Sequence, residues 1–424
     1  MFAQQKDGVR KWLVVTLAIL FMTGLSSLDA FAAEKISEMK VGVILPLSGP
    51  PAAMGIGGKQ ALETYFDHIN ARGGIKSLGG AKLKMILSDS TAKPDVGVTE
   101  AERLIVKDKI HVLIGCYQSG VTLPVSKVAQ KYQLPMISFA GNSDKILQQG
   151  NDWIIRTGPW ESGIAYARYV ALETMNKQKK LNLKKVAVVY IDDEWGQSGE
   201  RSVKALAPEF GCTIVASEPH PANISDFTSI VINLKKAAPD AIMLNTYAPQ
   251  TLLFLKTKYE LDLGGGVICV SGIQDPGFLP SAGKTAWHLF LVYVGGANIL
   301  ENKSAKVKEL AAEYEKKYKE SVFGEGASFG YQCGQALVVA LEKAGTVEHN
   351  ALMKALSTLK IPYSDLMTPY EIEISSDFLG MKGQNKKCII PVAQVDEKLN
   401  IHFVSPPEKG YTAVWPVLKA SEWK

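Results

Sequence analysis

Lys40-Val41-Gly42-Val43-Ile44-Leu45, followed by Pro46-Leu47-Ser48-Gly49-Pro50-Pro51, decides how the rest of the chain is read. Val41 to Leu45 is an apolar run rich in β-branched residues, as expected of a strand buried on both faces of a parallel sheet. A Gly/Pro loop follows. Beyond it Ala61, Leu62, Tyr65, Phe66 and Ile69 recur at helical spacing, and Arg72-Gly73-Gly74 stops the helix. A buried strand feeding an amphipathic helix is the opening of a right-handed βαβ unit.

The cycle repeats outward from there. Strand-like runs lie at Leu83–Leu87, His111–Ile114 and Pro135–Phe139, with helical patterns near Asp95–Asp108 and Thr122–Tyr132. A second series starts after Arg156-Thr157-Gly158-Pro159. Its helices fall near Gly163–Met175, Gly199–Glu209, Ile224–Lys236 and Gln250–Tyr259, and its strands at Val186–Ile191, Cys212–Ala216, Ala241–Asn245 and Val267–Val270. Two long helices follow, Lys303–Lys319 and Phe329–Lys343. The chain then turns β-rich, at Ile389–Val395 and Ile401–Val404. Lys306, Lys308, Lys316, Lys317 and Lys319 read as a solvated helix face. At 424 residues there is room for about three average domains or two larger lobes. The two series favour an α/β protein of two doubly wound lobes. No fixed-period repeat occurs, which excludes a solenoid.

The first thirty residues differ in kind. Lys6, Arg10 and Lys11 precede a stretch of 17 uncharged residues, Trp12 to Leu28, and Ala30-Phe31-Ala32 supplies a small-x-small cleavage pattern. This reads as a secretory signal peptide over 1–32, too short for a comfortable membrane span and followed by its own cleavage signal. Without it the chain keeps 44 basic and 40 acidic residues, a balance too even for a nucleic-acid partner. Export makes the odd set Cys116, Cys212, Cys269, Cys333 and Cys388 notable, since at least one stays unpaired within the chain. Most sit in apolar runs and read as small buried hydrophobes.

Metal and cofactor patterns are missing. There is no CxxC and no HxxxH. Gly55-Ile56-Gly57-Gly58-Lys59-Gln60 is neither a dinucleotide fingerprint nor a phosphate loop, because Gln60 stands where a Ser or Thr would bind magnesium. Asp192-Asp193-Glu194 could hold a cation, but reads first as a solvated loop. No cofactor and no metal are expected.

What remains is the polar chemistry at strand ends, where open parallel sheets bind ligands. Gly115-Cys116-Tyr117-Gln118-Ser119-Gly120-Val121-Thr122 offers a hydroxyl and backbone N–H groups at a helix start, a cradle for a carboxylate. Ala140-Gly141-Asn142-Ser143 is a second small polar loop. The second lobe presents an aromatic residue at each of two strand ends, Trp195 and Tyr247. Covering the end of a core is the competing reading for both.

At these residues the chain resembles the periplasmic leucine/isoleucine/valine-binding protein family, the substrate-binding components of ABC importers for hydrophobic amino acids and amides. The resemblance is carried by Lys40-Val41-Gly42-Val43-Ile44, Leu47-Ser48-Gly49-Pro50 and Ile69-Asn70-Ala71-Arg72-Gly73-Gly74-Ile75. Val112-Leu113-Ile114-Gly115, Pro135-Met136-Ile137-Ser138, Arg156-Thr157 and Ser225-Asp226-Phe227 add to it. It implies two Rossmann-like lobes joined by a three-strand hinge, one from 33–158 plus 294–388, the other from 159–293 plus 389–424. It also implies a monomer in the periplasm that has no catalytic activity and hands its small-molecule ligand to a membrane permease. By the same resemblance Ser119 and Asn142 take a ligand carboxylate with help from the Ala140 backbone. Trp195 and Tyr247 pack over the ligand, Tyr117 lies in the cradle loop, and Met54 ends the loop bordering the side-chain pocket. Amino-acid binders of the family hold the ligand ammonium with an acidic residue. Here Ser271 stands at that place, with Asp275 four residues on as the alternative. With Ser271 there, a buried ammonium loses its counter-charge at a cost of several kcal/mol. The ligand is then an amide, or an aromatic or aliphatic acid without an amine; with Asp275 serving instead it is a small hydrophobic amino acid. A ligand-binding sensor of the same fold would share all this chemistry, and a secreted hydrolase is the rival that turnover would reveal.

Overall fold

The computed structural model describes residues 36–270, 272–274, 277–292, 303–320, 324–406, 410–415 and 421. The signal-peptide expectation falls outside them, as do Ser271 and Asp275. The first lobe alternates β1 (Glu38–Leu45), α1 (Ala52–Ala71), β2 (Lys82–Asp89), α2 (Pro94–Val106), β3 (Val112–Gly115), α3 (Ser119–Lys131), β4 (Met136–Ser138), α4 (Lys145–Gln148) and β5 (Ile154–Arg156). Its sheet runs β2-β1-β3-β4-β5, all parallel. Strand order reverses at β1, which pairs with β2 on one side and β3 on the other. The crevice above such a switch point is where open sheets bind ligands.

The second lobe repeats the plan with α5 (Glu161–Lys179), β6 (Lys185–Ile191), α6 (Glu194–Leu206), β7 (Thr213–His220), α7 (Thr228–Ala237), β8 (Ala241–Asn245), α8 (Ala248–Glu260), β9 (Gly266–Cys269), α9 (Phe278–Ala282) and β10 (Phe290–Val292). The chain then returns to the first lobe through α10 (Ala305–Tyr318), α11 (Glu325–Ala344), α12 (His349–Ser357) and the small pair β11 (Lys360–Ile361) and β12 (Ile372–Glu373). Finally β13 (Val392–Val395) and β14 (Ile401–Ser405) complete the second sheet, ordered β14-β13-β10-β9-β8-β6-β7. These last two strands run antiparallel, so this sheet is parallel only over β10 to β7. The switch point lies at β6, between β7 and β8. Strands β3 and β8 are buried at every residue, as their unbroken apolar runs require.

The glycine-rich stretch near residue 57 has a packing role. Helix α11 carries Gly326, Gly330 and Gly334 at four-residue spacing, and all three face α1. A Cβ on Gly330 would stand 2.5 Å from the Gly58 carbonyl oxygen, and one on Gly334 2.8 Å from the Tyr65 ring. A Cβ on Gly326 would meet the Met54 carbonyl, and one on Gly58 the ring of Phe139. The two helices touch backbone to backbone, which only residues without side chains allow.

Two crossings between the lobes lie side by side. The Arg156 N–H donates to the Gly383 carbonyl at 2.8 Å, and the Asn385 N–H to the Arg156 carbonyl at 2.9 Å. Gly383 has φ +85°, and a Cβ there would sit 2.6 Å from the Ile154 carbonyl oxygen. The passage from β10 to α10 includes 293–302, outside the described residues. All five cysteines are free, and all but Cys212 are buried. Lys306, Lys308, Lys316 and Lys317 of α10, and Lys319 just past its end, are exposed. No described helix is long and apolar enough to cross a membrane.

Replacing Gly330 by Ala should cost about 1–3 kcal/mol of stability in urea unfolding, because backbone faces its new methyl. Gly57→Ala should cost less, since its Cβ would sit 3.3 Å from the Ala327 nitrogen. Equal losses would count against the close helix contact.

Candidate functional site

The two switch points face each other, and the loops leaving them meet. Tyr117 follows β3, Trp195 lies beyond β6, and Tyr247 follows β8. Their rings form one group: Trp195 stacks on Tyr247 with centroids 4.9 Å apart and planes at 26°, and Tyr117 approaches Tyr247 at 6.0 Å. All three are buried. The stacked pair belongs to the second lobe, and the tilted Tyr117–Tyr247 contact, with planes at 43°, crosses the gap to the first.

Several helices begin earlier than the sequence pattern suggested, and the site sits on those extra turns. Helix α3 starts at Ser119, so that serine occupies its first turn at the positive end of the helix. The Ser119 hydroxyl accepts the Ser143 N–H at 3.1 Å, which leaves its own O–H to donate. Helix α6 starts at Glu194, so Trp195 stands on a helical turn rather than on a loop. Asp193 caps it, accepting the Gly196 N–H at 2.9 Å. The other Asp193 oxygen accepts the Tyr247 hydroxyl at 3.0 Å. Burial raises the Asp193 pKa, opposed by these hydrogen bonds. Met54 lies in the first turn of α1 and is buried.

The Ala140–Ser143 loop is held from behind. The Ala140 N–H donates to the Cys116 carbonyl at 3.2 Å. The Asn142 amide nitrogen, in the orientation that satisfies it, donates to the carbonyls of Ala140 at 3.0 Å and Pro159 at 3.1 Å. That spends the Asn142 donor on the loop and the crossover. Arg156, buried in the hinge, donates to the carbonyls of Gly141 at 3.0 Å and Ser143 at 2.9 Å, and its Nε to Gln384 Oε1 at 2.6 Å. One guanidinium thus fixes the cradle loop to two crossings.

Glu161 is the residue that the sequence reading missed. It has no exposed surface and opens α5 just past the first crossing. Its N–H donates to the Asn142 carbonyl at 2.9 Å. One carboxylate oxygen accepts Arg168 at 3.2 Å and Asn245 at 2.9 Å, and the other accepts the Trp195 indole N–H at 2.9 Å. Arg168 in turn donates to Asn245 Oδ1 at 2.7 Å. Burial raises the Glu161 pKa, opposed by Arg168. Burial lowers that of Arg168, opposed by Glu161. Only a lone acidic residue after Pro159-Trp160 signals this in the sequence, and nothing local says what it will reach.

From the other lobe Glu325 is also buried at the cleft, and its carboxylate accepts the Gly272 N–H at 2.6 Å. The carboxylates at 192–194 do not form a metal cluster, and none exists among the described residues.

The sequence pattern of the periplasmic binding proteins matches residues 38–398, which include both switch points and the aromatic stack. The chain belongs to the periplasmic binding protein family. This is a solute-binding family. Among its relatives is Leu/Ile/Val-binding protein homolog 7 of Brucella abortus, 25% identical over 395 residues, covering 87% of this chain and 95% of the relative. Two solved structures share the fold. LivJ of Streptococcus pneumoniae in complex with isoleucine has a TM-score of 0.71 at 19% identity, covering 86% of this chain and 97% of that one. A solute-binding protein of R. palustris in complex with 4-hydroxybenzoate has a TM-score of 0.71 at 20% identity, covering 85% and 93%. The expected leucine/isoleucine/valine-binding family and two-lobed α/β fold are both found.

Replacing Glu161 by Gln in this binding protein should cost about 3–5 kcal/mol, because Arg168 is left as a buried unpaired charge. Trp195→Phe keeps the ring but drops the indole donor, and should cost about 1–3 kcal/mol. Urea unfolding monitored by circular dichroism checks both; a neutral Glu161→Gln would remove the hub.

Proposed function

We propose that this chain is the periplasmic substrate-binding component of an ABC importer, and that its cargo is a small aromatic carboxylate held between the lobes. The observation that carries the reading is the group of three rings, a stacked Trp195–Tyr247 pair in one lobe met by Tyr117 from the other, together with the Ser119 hydroxyl at the positive end of α3. Stacked rings favour a flat apolar body, and an offset ring pair contributes about 0.5–1.5 kcal/mol beyond its buried area. The helix end and the Ser119 O–H favour an anion. Ser271 at the ammonium position argues for an acid without an amine. The 4-hydroxybenzoate bound by the R. palustris protein of the same fold supports this class, and the isoleucine bound by LivJ marks the alternative.

On this reading the residues divide the work. Ser119 donates to the carboxylate, Tyr117, Trp195 and Tyr247 enclose the ring, and Met54 borders the pocket. Ala140 and Asn142 shape the cradle loop. The closed form alone brings both lobes onto the ligand, so binding shifts the population toward closure. The ligand-free protein already samples the closed form, so less is needed than the about 5.5 kcal/mol of differential affinity that a shift from 1:99 to 99:1 takes. A permease then distinguishes loaded from empty protein by its closed shape.

Calorimetric titration with benzoate, 4-hydroxybenzoate, L-leucine and L-isoleucine tests the class. The aromatic acids should bind at least tenfold more tightly than the amino acids, and Ser119→Ala should weaken them about tenfold. Tight leucine binding without benzoate binding would reverse the ligand class. Failure of every compound to bind or to alter small-angle scattering would remove the solute-binding reading.

A further inference from the structure

Glu194 belongs to the second lobe, yet its carboxylate is bonded mainly to the first. Ser143 donates its hydroxyl to one Glu194 oxygen at 2.9 Å, and Lys145 its ammonium to the other at 3.2 Å. Arg201, two turns along the same helix, holds the first oxygen at 3.0 Å. The Glu194 side chain is 17% exposed, so this bridge is partly shielded from solvent, although Lys145 and Arg201 are themselves about half exposed. A Cβ on Gly120, in the first turn of α3, would lie 4.0 Å from the Glu194 Cβ. The carboxylate therefore stands against the first lobe beside the positive end of that helix.

Its neighbours in sequence and space are those of the cleft. Ser143, which donates to Glu194, is the residue whose N–H fixes the Ser119 hydroxyl. Trp195, the next residue along, stacks on Tyr247 and is tied to Glu161. Asp193, the residue before, caps the helix and holds Tyr247. One helical turn thus carries a cap, a bridge to the opposite lobe and the aromatic lid. The cap does not depend on the bridge.

We infer that Glu194 is the closure latch of this binding protein: a positioning residue that touches the cradle rather than the ligand, and sets how long the ligand is retained. The inference rests on the solute-binding reading of the cleft. The bonds to Ser143 and Lys145 span the gap, so they form only when the lobes close. A contact made after encounter acts on the rate of release more than on the rate of capture. Being ionic and partly exposed, the latch weakens with salt.

The test compares the wild type with Glu194→Gln, Glu194→Ala and Lys145→Met in the full mature chain. After unfolding and refolding to strip bound solute, ligand-free Glu194→Ala should show a larger radius of gyration by small-angle scattering than the wild type. With 4-hydroxybenzoate as the probe in stopped-flow fluorescence, Glu194→Gln should release it about tenfold faster, the effect of losing a charge-assisted hydrogen bond. Capture should change less than about threefold. Release from the wild type should accelerate with added sodium chloride, and release from Glu194→Gln should respond far less. Unchanged far-UV spectra would confirm that the Asp193 cap holds. Wild-type scattering from ligand-free Glu194→Ala overturns the latch, as does wild-type release from Glu194→Gln. If the wild type binds no probe, the functional reading is at fault, and the ligand-free scattering still decides the latch.

Discussion

A carboxylate without exposed surface, that of Glu161, joins what the chain would otherwise leave separate. Its backbone N–H holds the Asn142 carbonyl in the first lobe, while its side chain holds Arg168, Asn245 and Trp195 in the second. A buried charge is costly unless every lone pair is used, and here Arg168, Asn245 and Trp195 share the burden. That requirement fixes the Trp195 ring, which fixes Tyr247 through their stack, and Tyr247 is held again by Asp193. The orientation of the aromatic wall descends from one residue immediately past a hinge crossing.

Arg156 does the corresponding work on the other side. It reaches the carbonyls of Gly141 and Ser143 from inside the hinge and meets Gln384 of a neighbouring crossing. Cradle loop and hinge therefore share one buried cation. Any displacement of Arg156 would therefore loosen the loop. The glycine seam between α1 and α11 stiffens the first lobe beneath the cleft, since backbones in contact have no side chains to repack. Rigid lobes and a narrow connection are the mechanical conditions for hinge closure.

Part of the candidate site was legible in the sequence. Ser119, Trp195 and Tyr247 follow strand ends, and a strand end is a local property of the chain. Their surroundings were not visible. Helix starts were read late at α3, α6 and α11, because small, polar and glycine residues in a first turn look like loop. That error put Trp195 on a loop when it stands on a capped helix. It also made 192–194 look like solvated carboxylates, although Asp193 is a cap and Glu194 a bridge to the other lobe. Three-residue strands such as β5 and β10 carry too little pattern to read.

The sequence by itself determined two doubly wound lobes, because buried parallel strands and amphipathic helices write their periodicity over a handful of neighbouring residues. It also determined which loops bear hydroxyls and which bear rings. Tertiary structure decided which of those loops meet. Glu161 and Asn245 are 84 positions apart, Ser143 and Glu194 are 51, and Gly272 and Glu325 are 53. Contacts of that kind depend on how one sheet is turned toward another, and a local pattern carries no record of that angle.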